Sequence, residues 1–190
     1  MFTDTTPNSE DFDLSFKVFH ELMAKKVTDI LLVSSPYEAF IMEEEGRLAE
    51  RIIHEYRGLN LSRPPMLTWV STAREAMNAL ATKKFDLVIT MTRIADMNPV
   101  EFGQKVKQKD PDKTVVLLTY DPLDPFMLKK IRRVKSIDRI FYWFGDSKLL
   151  LAIIKYVEDM KNVREDVEKG IQIILLVEDS PKYTSLYLPS

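Results

Sequence analysis

One apolar tetrad is written twice in this chain and is followed by different chemistry each time. Ile30-Leu31-Leu32-Val33 runs into Ser34-Ser35-Pro36, whereas Ile174-Leu175-Leu176-Val177 runs into Glu178-Asp179-Ser180-Pro181. Two adjacent carboxylates at the end of a buried strand can hold a hard divalent cation, which prefers charged oxygen ligands. Two serine hydroxyls carry no charge and offer such a cation little. Other reactive groups are sparse. There is no cysteine, which excludes disulfides and thiolate chemistry and fits a reducing cytoplasm. His20 and His54 are each followed by a glutamate, but neither lies at metal-ligand spacing from another histidine, so both read as packing or surface residues. The five glycines are scattered and form no phosphate-cradling loop. The densest charge is Lys129-Lys130-Ile131-Arg132-Arg133-Val134-Lys135. It is either a solvated helix face or an electrostatic docking surface. The acidic Glu165-Asp166-Val167-Glu168 would then be its partner, in the same chain or in a second copy.

The elements that must position these groups alternate. Residues 1–12 are polar and acidic and read as a tail, followed by a short helix over 14–23. Strands are expected at 30–33, 66–70, 85–90, 114–119 and within 137–144, each a short apolar run bounded by turn residues. Helices fall between them: 37–56, stopped by Gly58; one capped by Thr72 with Glu75; one opened by Asn98-Pro99; a basic one over 125–134; and a last long one from Ser147 to Lys169, stopped by Gly170. Five strands alternating with five helices imply an α/β, doubly wound, five-stranded parallel sheet of the flavodoxin-like order 2-1-3-4-5, with an extra N-terminal helix. Ligands of such sheets meet the carboxyl ends of the strands. The organisation reads as tail and helix over 1–28, one domain over 29–160, a helical linker over 161–170, and the opening strand of a second domain over 171–190.

Those carboxyl ends carry a resemblance. Over 30–158 the chain resembles the CheY-like receiver domain of response regulators, most specifically in Lys84-Phe85-Asp86-Leu87-Val88-Ile89-Thr90-Met91 and in Asp96-Met97-Asn98-Pro99-Val100. The resemblance implies that Ser34 and Ser35 stand at the metal-binding acids and Met91 at the phosphoacceptor aspartate. It also places Tyr142 at the phosphate-binding lysine and Arg139 at the switch aromatic. Thr119 is the one retained group, followed by Tyr120 where a small residue is usual. Aspartyl phosphorylation depends on a cation and a lysine to neutralise charge. The implied reading is therefore a pseudo-receiver: a non-enzymatic module without metal or cofactor, in which Tyr120 and Tyr142-Trp143-Phe144 fill the former phosphate pocket. Asp96 reads as a solvated loop residue.

Ile173 to Pro181 matches the opening of a second receiver, with Glu178 and Asp179 as its acids, so the chain reads as a piece cut from a longer protein. In the piece this strand is expected to be disordered, to lie along an edge or to pair with another copy. A weaker resemblance links the layout to signalling proteins that continue into a phosphoenolpyruvate synthase or pyruvate phosphate dikinase-like region. The expected role is a protein-interaction module of two-component signalling. It would dock another domain of the same protein, a partner protein or its own copy through Lys129, Lys130, Arg132, Arg133 and Arg139. The alternatives are a metabolite sensor using the vacated pocket, or a regulatory fragment of a larger phosphotransferase. A net charge of −2 does not favour nucleic acid, and no apolar run is long enough to span a bilayer.

Overall fold

A computed structural model describes residues 24–46, 50, 53–54, 64–173, 178 and 180–189. The expected tail, the helix over 14–23, the second tetrad Ile174–Val177 and Asp179 lie outside the described residues. Strands β1 (Asp29–Val33), β2 (Met66–Val70), β3 (Leu87–Met91), β4 (Thr114–Thr119) and β5 (Arg139–Tyr142) alternate with helices. These are α1 (Pro36–Gly46), α2 (Ala73–Thr82), α3 (Pro99–Lys109), α4 (Pro125–Val134) and α5 (Lys148–Glu168), with α6 (Pro181–Tyr187) after them. The sheet is parallel throughout, in the order β2-β1-β3-β4-β5. This is the flavodoxin-like arrangement expected from the alternation.

The interior strands are buried on both faces, so their side chains alternate between two cores. Ile30, Leu32, Ile89, Leu118 and Phe141 face Met42 of α1 and Leu149, Ile153, Ile154 and Val157 of α5. Leu31, Val33, Val88, Val115 and Leu117 face Ala73, Ala76, Phe102, Val106 and Ile131 of α2, α3 and α4. The helix starts follow their sequence signals. Thr72 and Glu75 close a reciprocal capping box on α2, and the Asn98 side chain accepts from the Glu101 N–H ahead of α3. Gly103 of α3 is required by close approach: a Cβ there would stand 2.4 Å from the Ser136 carbonyl oxygen.

The amino ends of the strands are tied by one carboxylate. Asp86 Oδ2 accepts from Thr28 N (2.8 Å), Thr28 Oγ1 (2.9 Å) and Asp29 N (3.1 Å), with Lys161 Nζ 3.9 Å from Oδ1. Burial works to raise its pKa, but these N–H and O–H donors and Lys161 prevail and hold it below the ordinary carboxylate range. The stretch 161–168 continues α5 without a break and bonds back to the body. Asn162 Oδ1 accepts from Lys25 N and its Nδ2 donates to Lys25 O, both at 2.9 Å; Val27 N donates to Glu158 Oε1 at 2.9 Å. Glu165 pairs with Lys25 Nζ at 2.6 Å, so within the chain it joins this clasp.

Helix α6 was not expected from the sequence. Its signal is Ser180-Pro181, a cap-type residue followed by proline at the first helical position. Buried Ser185 presents Oγ to the edge strand, accepting from Tyr142 N at 2.8 Å and donating to Pro181 O at 2.6 Å. A backbone donor on the β5 edge is thereby satisfied.

Candidate functional site

The candidate site lies where β1, β3, β4 and β5 end; Ser34, Ser35, Met91, Thr119 and Tyr142 stand at or just past those ends, whereas Arg139 opens β5 and lies away from them. Register sets Val33 beside Thr90, Met91 beside Leu118, and Thr119 beside Tyr142. What their side chains do differs from an open pocket.

Ser34 is fully buried, and its Oγ accepts from Trp69 Nε1 at 2.9 Å. Ser35 opens α1 through a capping box: its N–H and Oγ donate to Glu38 Oε2 at 3.1 and 3.0 Å, and Glu38 N donates to Ser35 Oγ at 3.2 Å. Glu38 is only 4% exposed. This carboxylate, missed by the sequence reading, is legible as Ser-x-x-Glu, the same spacing that was recognised at Thr72. Both hydroxyls at the end of β1 are thus engaged within the protein.

Met91 is 0% exposed and belongs to the core with Leu118, Trp143 and Leu149. The Thr119 hydroxyl is folded into its own loop, donating to Asp121 O at 2.9 Å and accepting from Asp121 N at 3.2 Å. Tyr142 carries its hydroxyl across to the loop ahead of α4, where it accepts from Leu123 N at 3.3 Å, and its ring stacks on Phe144 with centroids 6.4 Å apart. The aromatic trio therefore divides. Trp143 fills the α1–α5 core, Tyr142 fastens the β4–α4 loop, and Phe144 is exposed. Asp96 does not turn into the pocket and is more than a solvated loop residue. It caps α2, Oδ1 accepting from Ala73 N at 2.7 Å and Oδ2 from Arg74 N at 3.1 Å. Burial would raise this carboxyl, but the backbone donors of Ala73, Arg74 and Asp96 itself, with the Arg74 charge, together outweigh it and hold it low.

The basic face is also sorted by the fold. Arg132, Lys135 and Arg139 line a groove of about 1000 Å³ between α4, β5, α5 and α6, and Lys129, Lys130 and Arg133 are exposed outside its lining. Arg139 donates through Nε to the Tyr156 hydroxyl, with its guanidinium 5.5 Å from that ring's centroid. The groove includes none of Ser34, Ser35, Thr119 or Tyr120. Glu178 is taken up locally, Oε1 accepting from Ser180 N at 2.8 Å.

The order of the sheet and the helices on its two faces have counterparts among solved structures. The signal receiver domain of an HD domain-containing protein from Pseudomonas fluorescens Pf-5 superposes with a TM-score of 0.56 at 25% identity, over 75% of this chain and 95% of that one. The fold is that of a receiver domain. A CheY-like receiver domain protein from Methanospirillum hungatei JF-1 gives 0.57 at 17% identity over 73% and 99%, and the chemotaxis response regulator CheY4 of Vibrio cholerae 0.52 at 14% over 70% and 99%. No family model matches the sequence, and no curated protein matches it. Among the described residues no helix is long and apolar enough to cross a membrane. On this receiver fold, the strand-end positions hold two engaged serines, a core methionine, a loop-bound threonine and a tyrosine.

Proposed function

We propose that this chain is a receiver-fold regulatory module of a two-component-type signalling protein that acts by docking and is not switched by aspartyl phosphate. One observation carries the reading: Met91, at the phosphoacceptor place, is a fully buried core residue with no group that can take a phosphoryl. Its neighbours support it. The hydroxyls of Ser34 and Ser35 are held by Trp69 and Glu38, and Tyr142 stands where a lysine would balance the phosphoryl charge. Without cation ligands or that lysine, the electrostatic stabilisation that drives phosphoryl transfer is missing. The module is non-enzymatic on this reading, and its partner is another domain of the same protein or a separate protein. Exposed cations of α4 and β5 steer that partner, raising the rate of association more than its strength.

The experiment is incubation with acetyl phosphate and Mg²⁺ followed by intact-mass measurement and peptide mapping. The expected spectrum is that of the unmodified chain. A hydroxylamine-labile phosphoryl adduct on any aspartate or glutamate of residues 30–158 would sink the proposal.

A further inference from the structure

Three features converge beside β5: a groove, a set of cations without counter-charges, and a strained backbone. The groove holds about 1000 Å³ and is bounded by α4, β5, α5 and α6, the last through Pro181, Thr184 and Leu188. A volume of that order suits a small organic molecule. Ile140, Leu151 and Met160 give it apolar lining.

Its charge is unbalanced. Arg132, Lys135 and Lys148 line it, and among the described residues none of the three joins an ion pair. The acids along it are mostly committed. Asp138 pairs with Lys107 Nζ at 2.8 Å and accepts from Val115 N at 2.7 Å, and Glu178 accepts from Ser180 N at 2.8 Å. Asp159 is left as the one opposing carboxylate, and burial first, then Glu158 and Asp166, push it toward its neutral form against the pull of Lys155.

Cations in the last turn of α4 also suit the helix dipole. That does not explain Lys135, which closes the helix in the left-handed region at φ 52°. Among the described residues the other positive-φ positions, Gly145 and Gly170, are glycines. Glycine would adopt this cap without the steric cost that a lysine bears. A strained residue kept at the rim of a cavity points to a use for its side chain. Arg139, also on the lining, adds a planar cation: it is exposed, and its guanidinium lies 5.5 Å from the centroid of the Tyr156 ring. Guanidinium planes stack on aromatic rings and bind phosphate oxygens in pairs.

We infer that this groove binds a phosphorylated aromatic metabolite of the nucleotide class. Arg132 and Lys135 hold the phosphates, and the base stacks on Arg139 over Ile140, Leu151 and Met160. The site is separate from the strand-end positions and independent of the docking reading, whose test with acetyl phosphate it leaves untouched. Lys129, Lys130 and Arg133 remain available to a partner.

Titration calorimetry of the full chain with ADP and GDP tests this. At least one should bind with Kd below about 100 µM, and pyrophosphate and adenosine, each half of the ligand, should bind at least about tenfold more weakly. Lys135→Gly should weaken nucleotide binding by about tenfold without lowering the melting temperature, since it removes strain together with the charge. Arg132→Gln should weaken it similarly. The double variant Lys129→Gln, Lys130→Gln, outside the lining, should bind as the parent does. The inference is overturned if neither nucleotide binds at 100 µM, or if the Lys129 and Lys130 variant loses as much affinity as Lys135→Gly, which is diffuse charge attraction. It is also overturned if Lys135→Gly melts earlier than the parent, or if an oligo-glutamate peptide binds more tightly than the nucleotides, which would make the occupant an acidic segment.

Discussion

Met91 ends β3 and Asp86 precedes it, and the two contribute to stability in different ways. Met91 is enclosed by apolar neighbours at the carboxyl end. Placing an acid there, Met91→Asp, should put a carboxylate in a dry core and destabilise the fold by about 3 kcal/mol or more. No phosphorylation should be gained, because Ser34 and Ser35 remain bound to Trp69 and Glu38. Chemical denaturation and intact mass after acetyl phosphate treatment check the two halves of that statement. At the amino end Asp86 has its pKa depressed by donors that outweigh its burial. A depressed carboxylate contributes stability above its unfolded value, near pH 4, and loses it as pH falls through the lower folded value. Asp86→Asn should therefore cost about 1 kcal/mol at neutral pH. The gap between variant and parent should shrink below about pH 4 in denaturation curves taken from pH 7 to pH 2.5.

At the scale of elements, α3 approaches the turn after α4 so closely that only glycine fits at 103. Gly103→Ala improves helix propensity by about 1 kcal/mol, yet it drives a methyl into a backbone carbonyl. The net expectation is a loss of about 1–3 kcal/mol, read as a lower thermal midpoint. Strands and helix starts were legible because each is a local signal. Apolar runs such as Val115–Leu118, the Thr72–Glu75 box and Asn98-Pro99 need no knowledge of distant neighbours. The strand-end residues were legible for the same reason, since parallel order brings strand ends together whatever their side chains are. What each side chain does was not legible. Trp69 reaching Ser34, Asp96 capping α2 and Tyr142 fastening the loop at Leu123 all depend on separations of about twenty residues or more, which no window of sequence displays. Glu38 and α6 were within reach, since Ser35-x-x-Glu38 and Ser180-Pro181 are ordinary start signals.

For the molecule as a whole, β5 is one of the two margins of the sheet, and α6 shields it through Ser185 and Tyr142. Ending the chain after Gly170 should release that amide. Hydrogen exchange at Tyr142 should speed up by about tenfold or more, the equivalent of one buried hydrogen bond. The shortened chain should also aggregate more readily with concentration, as an uncovered strand margin does. Light scattering beside an exchange experiment separates the two effects.

The two-point grip of Asn162 on Lys25, reinforced by Glu158 on Val27, has a mechanical consequence. Tension applied along the polypeptide ahead of Ala24 meets α5 before it reaches β1, so the helix takes the load and the sheet is spared.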